Sequence, residues 1–145
     1  MSRLVKLLRL DHDDRRLLAE AALLLAVIRL ALVFVPFTRV RKSLARLSRN
    51  RPRSHAVAPA RAAWAVQVAS RHVPGTSHCL TRALAGQLML ARSGIPARLR
   101  IGLARGEQGR LHGHAWLESD GEILIGGQEA SDYTALSSFE GALDD

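Results

Sequence analysis

A single cysteine in 145 residues excludes a disulfide scaffold, because Cys79 has no partner in the chain. It leaves a buried thiol, a reactive thiol or an intermolecular link, with a reducing, cytosolic setting as the default. Aromatic residues make up only 4%, and none is interleaved in the basic stretch Arg39–Arg53, which argues against a stacking platform for single-stranded nucleic acid. No zinc-finger or RNP-type motif occurs either. With 11 glycines and 5 prolines, and a mean hydropathy of +0.02, collagen-like and wholly disordered chains are excluded. The start, Met1–Leu10, is basic and apolar but lacks an uninterrupted apolar core followed by small residues, so it does not read as a signal peptide.

What is present is 48% hydrophobic and 23% charged, enough for one compact domain with an appendage. The net charge of +8 is unevenly spread: residues 1–60 carry 13 Lys and Arg against 4 Asp and Glu, whereas residues 61–145 carry 8 against 9. A basic excess confined to one end reads as an arm or docking surface for an acidic partner, a phosphate backbone or an anionic leaflet.

Along the chain, Asp11, Asp13 and Asp14 precede a run dense in Leu and Ala, which predicts a helix from about Asp13 to Val35 with its acids at the positive end of the dipole. That run is apolar enough to raise the question of a membrane span. Arg29 near its centre, costing about 2.5–3.5 kcal/mol in a bilayer, and Glu20 near its start favour a helix packed on its own domain or a partner. Pro36 ends it, and Thr38–Asn50 forms a second, strongly basic amphipathic segment. The prolines at 52 and 59 mark a boundary, giving a helical region over 1–55 and a core over 56–145. In the core, a helix over Ala60–Arg71 precedes one that Thr76 or Ser77 would cap and Gly94 would stop, with Cys79 in its first turn. The period then changes to two. Ala97–Leu103, Leu111–Glu118 and Glu122–Gly126 predict an antiparallel meander with Asp120-Gly121 as a two-residue turn, and the tail after Gln128 reads as short helix or loop.

A thiol in the first turn of a helix faces unpaired N–H groups and the positive end of the dipole, the setting in which reactive cysteines occur. A cysteine nucleophile needs a base from elsewhere in the sequence, and His114 on the second strand meets that demand. His112 shares its strand face and His78 adjoins the thiol; both, with Trp116, are candidates to line a substrate site. Cys79, His78, His112 and His114 lack the paired-ligand spacings of a zinc site, so no metal is expected. For the residue that orients the imidazole, an Asp120-Gly121 turn would set Trp116 opposite Ile125, Ala115 opposite Gly126 and His114 opposite Gly127. Both positions nearest His114 are glycine, which leaves Gln128 or Glu129 beyond the strand, or Glu118 on the same strand face.

The segments Ser77-His-Cys-Leu-Thr-Arg-Ala-Leu84, Leu90–Gly102 and His112-Gly-His-Ala-Trp-Leu-Glu118 together resemble the transglutaminase-like cysteine peptidases of lasso peptide biosynthesis, the microcin-processing leader peptidases. The resemblance covers about Ala60–Leu136, and the N-terminal helix ending at Pro36-Phe37 is similar to that of their short, stand-alone members. It implies an α+β, papain-like core with the cysteine helix packed on an antiparallel sheet. It also implies a cytoplasmic hydrolase without cofactor that removes the leader of a ribosomally made precursor, with Cys79 as nucleophile and His114 as general base. The family's acid follows the strand after the histidine, where this chain has Gly126-Gly127. The implied partners are the precursor peptide, a small leader-recognition protein and an ATP-dependent cyclase, with the N-terminal helices as a docking surface for one of these proteins. A non-catalytic binding module and a transglutaminase or amidase acting on another acyl donor are the competing readings.

Overall fold

In the computed structural model, which describes residues 6, 8–50, 57–75, 78–127 and 134–135, four α-helices precede an antiparallel sheet. Helix α1 runs His12–Phe34 and α2 Phe37–Asn50. Between them Val35 is extended (φ −125°, ψ 137°), as a residue before proline is held, and Pro36 starts α2 through bonds from Arg39 and Val40 to its carbonyl. Helix α3, Pro59–Ser70, begins with proline in its first turn, where the missing N–H leaves no bond unmade. Helix α4 spans Cys79–Arg92. It ends as Gly94 predicts: that glycine takes φ +73°, Gly94 N–H bonds Ala91 O and Ile95 N–H bonds Leu90 O. The residue at the N-cap is His78, which makes no side-chain capping bond; Thr76 and Ser77, expected to cap, lie outside the described residues, as does the boundary expected at 55/56.

The strands are β1 Arg98–Arg105, β2 Leu111–Ser119, β3 Glu122–Ile125 and the short β4 Thr134–Ala135, ordered β3-β2-β1-β4. The meander expected from the sequence is therefore present, and Thr134–Ala135 of the tail forms a short strand at the β1 edge; the rest of the tail, read as short helix or loop, lies outside the described residues. A single 3₁₀ turn, Glu107–Gly109, joins β1 to β2. Asp120 (φ 52°) and Gly121 (φ 77°) both adopt the left-handed conformations of a two-residue turn matched to strand twist. The predicted register holds for two pairs, Ser119 with Glu122 and Glu118 with Ile123, and then fails. A bulge at Leu117/Glu118 sets Ile125 opposite Leu117, not Trp116. The extra residue is Leu124 of β3, and it offsets the pairing beyond it by one.

Helix α4 is the centre of the core, with helices on one side and the sheet on the other. Leu84, Leu88, Met89 and Leu90 are fully buried, and Leu99, Leu117 and Ile125 meet the helix from the sheet. The approach is closest at Gly86, where a Cβ would lie 2.6 Å from Ile125 Cδ1 and 3.0 Å from Leu117 Cδ2. Gln87 Nε2 and Ser119 Oγ donate to the carbonyls of Ala97 and Pro96, pinning the link from α4 to β1.

Helix α1 belongs to the same core through Leu17, Leu18, Ala21, Leu25 and Ile28, which pack on α3 and α4. Two ion pairs fasten it: Asp14 with Arg61 of α3, and Glu20 with Arg92 of α4 at 2.9 Å. By length and composition alone this helix could cross a membrane, yet one face is committed to protein. Leu25→Ala is expected to cost about 2–5 kcal/mol, and Leu23→Ala on the outward face no more than about 0.5 kcal/mol, as measured by urea denaturation. Equal costs would show that the helix is turned differently.

Candidate active site

Strand β3 pairs only with Leu117–Ser119 of β2, so the earlier part of that β2 edge is open to another element. The first turn of α4 fills the opening. Cys79, partly buried, accepts a hydrogen bond at Sγ from the backbone N–H of Ala115 at 3.4 Å. The thiol therefore abuts the peptide that joins His114, the base singled out in the sequence, to Ala115.

His114 is 8% exposed. Its Nε2 lies 2.8 Å from the carbonyl oxygen of Gly126, and because a carbonyl can only accept, Nε2 carries the proton. A neutral ring then has its lone pair on Nδ1. Gly126 reaches this position by two means: it takes φ +83°, and it lacks a Cβ, which would lie 2.9 Å from Ala115 O, 3.1 Å from Trp116 Cβ and 3.3 Å from His114 Nε2. No side chain fits there.

Trp116 is the second support of the ring. It stacks on His114 with centroids 6.0 Å apart and planes 22° from parallel. Its indole N–H donates to Glu118 Oε1 at 2.8 Å, and Arg100 Nε donates to Glu118 Oε2 at 3.1 Å. Cross-strand pairing explains this group: Arg100 lies opposite Trp116, and 114, 116 and 118 share a strand face. Glu118, weighed as an orienter of the imidazole, instead holds the tryptophan behind it. Trp116 is 4% exposed, so it backs the histidine and does not line an open groove.

The other candidates are spread apart. His78 is exposed at the N-cap of α4, and His112 is exposed with its ring over Gly106, where a Cβ would come within 2.4 Å of it. Gln128 and Glu129 lie outside the described residues. Among the described residues no three of His, Cys, Asp and Glu group so as to hold a metal ion. The sequence reading missed the Gly126 carbonyl and Arg100. Only the pair of glycines at the place where an acid was sought signalled the first, and the Arg100–Glu118 charge match across the hairpin could have signalled the second.

A helix bearing cysteine at its first turn, set against a strand bearing histidine, is the architecture of the transglutaminase-like α+β fold. Residues 22–138 match the family model of the transglutaminase-like superfamily, and the chain belongs to it. That superfamily generally comprises cysteine-based enzymes, peptidases and acyltransferases among them. No curated protein and no solved structure matched the chain.

The tautomer is directly testable: long-range 1H–15N correlation should find neutral His114 protonated at Nε2. Gly126→Ala, forced into a positive φ against Ala115 O, is expected to cost more than about 1 kcal/mol in denaturant unfolding and to mix the tautomers. An Nδ1–H ring in the wild type would rule out this arrangement.

Proposed function

We propose that this protein is a cysteine peptidase that removes the leader from a ribosomally made lasso peptide precursor. The observation that carries the chemistry is the pairing just described, a thiol at a helix start held against the His114–Ala115 peptide, with the imidazole's far nitrogen fixed by Gly126. The choice of substrate rests on the resemblance of the Cys79 and His114 segments to the leader peptidases.

In this reading the Cys79 thiolate attacks the scissile carbonyl carbon, and the C–N bond breaks as His114, protonated at Nδ1, gives that proton to the leaving amine. Water then attacks the thioester while Nδ1 takes one of its protons. The leader leaves with a free carboxylate, the thiol is restored, and the core peptide carries a new N-terminal amine. The tetrahedral oxyanion would meet the backbone N–H of Cys79, unpaired in the first helical turn. Gly126 keeps the Nε2–H in place throughout, so proton exchange in each step is confined to Nδ1. Glu118 and Arg100 act through Trp116 as positioning residues.

The precursor peptide is the substrate, and a small leader-recognition protein and an ATP-dependent cyclase are the partners of this proposal. A cytoplasmic setting fits the unpaired cysteine. No cofactor is required by the steps above.

The deciding experiment is mass spectrometry of the precursor encoded beside this chain, incubated with the protein and the adjacent recognition protein. Wild type should release the leader, Cys79→Ala should release none, and His114→Ala should be slower by about 10²–10⁴-fold. Cleavage by Cys79→Ala would overturn the mechanism. A mass shift that depends on an added amine would instead identify a transglutaminase.

A further inference from the structure

Helix α1 has a second face. Leu23 is 66% exposed, Leu30 61% and Phe34 79%, and with Val27 they recur at steps of four, three and four residues, which places them in one stripe along the helix. With Ala19 at its start the stripe runs for about 23 Å at 1.5 Å per residue. It contains no hydrogen-bonding side chain. The two charges within this stretch do not interrupt it: Glu20 reaches Arg92 of α4, and Arg29 runs over the loop before α4, its Nε 3.6 Å from the place a Cβ on Gly75 would take. Arg29, which in the sequence counted against a membrane span, runs toward that loop.

Past the C-terminal end of the stripe the chain turns strongly cationic. Five residues after Phe34, helix α2 begins an exposed row of Arg39, Lys42, Arg46 and Arg49, while its Val40, Leu44, Ala45 and Ser48 are buried. Nothing acidic stands near in the chain. From residue 21 to residue 106 there are 15 Lys and Arg and not one Asp or Glu.

We propose that the outward face of α1, together with the cationic row of α2, seats the protein on an anionic bilayer surface. An apolar ridge beside Lys and Arg is the composition of a helix lying at the headgroup boundary, where the apolar side enters the acyl region and the cations meet lipid phosphate. The rival occupants fit less well. A second copy of the chain carries the same +8 charge and is repelled. A protein partner would have to match an apolar strip and a separate row of acids to this face, whereas an anionic bilayer presents an acyl region and phosphates together. In this proposal lipid takes the face on which a protein partner is expected from the sequence. The proposal stands independently of the peptidase reading.

The test is co-sedimentation of the full-length protein with phosphatidylcholine vesicles, with and without phosphatidylglycerol. Binding is expected only with phosphatidylglycerol and should weaken with salt. The double variant Arg39→Ala, Lys42→Ala should bind about 30-fold less well, the loss that two near-surface cations predict. Leu30→Asn with Phe34→Asn should abolish binding, with unchanged thermal unfolding as the control for folding. A polarity-sensitive dye on Phe34→Cys, in a Cys79→Ala background, should shift to the blue on those vesicles. Failure of the wild type to bind, or binding that survives loss of Leu30 and Phe34, overturns the proposal. So does resistance to alkaline carbonate, which marks a spanning helix, or a dye shift seen only with the recognition protein, which marks a protein interface.

Discussion

The close approach of α4 to β2 at Gly86 sets the geometry on which the candidate site depends. With no side chain at 86, Ile125 and Leu117 press onto the helix itself, and this fixes both the separation and the rotation of helix against sheet. Cys79 lies seven residues earlier, two turns along the same helix face, and Ala115 lies two residues before Leu117 on the same strand face. The contact between Cys79 Sγ and the Ala115 N–H is therefore the far end of one interface whose near end is packed hydrocarbon. Core packing and the placement of the thiol are the same structural fact.

Wherever a local rule governs, the sequence was legible. The extent of α1, the glycine stop of α4, the Asp120-Gly121 turn and the alternation of β1 and β2 all follow from propensities and dihedral preferences acting over a few residues. The bulge at Leu117/Glu118 was not legible, since nothing in those residue types demands it. The bulge moved the pairing by one residue, yet the partner of His114 still lies at Gly126, one of the two positions where an acid was sought. Cys79 and His114 were found because each is a side chain with a distinctive neighbourhood. The Gly126 carbonyl was not, because a backbone group leaves no residue type behind to be read.

Helix α1 illustrates how composition conceals direction. Counted along the chain, Glu20 and Arg29 interrupt an otherwise apolar run; seen in place, both charges turn toward α4 and the loop before it, leaving the outward stripe unbroken. The buried face of the same helix, through Leu25 and Ile28, ties it to the core that carries α4. Whatever occupies the outer face is therefore connected through packed side chains to the helix that presents Cys79.

The carbonyl that holds His114 belongs to the main chain, so no substitution deletes it. Replacing Gly126 alters the path of the backbone before it alters the hydrogen bond, and replacing Trp116 or Glu118 leaves the carbonyl in place. A scan of single substitutions would score position 126 as a requirement of the fold and would show no third functional side chain there. The division between residues that build the protein and residues that work in it does not apply to this atom, and a census of side chains would count the site as one member short.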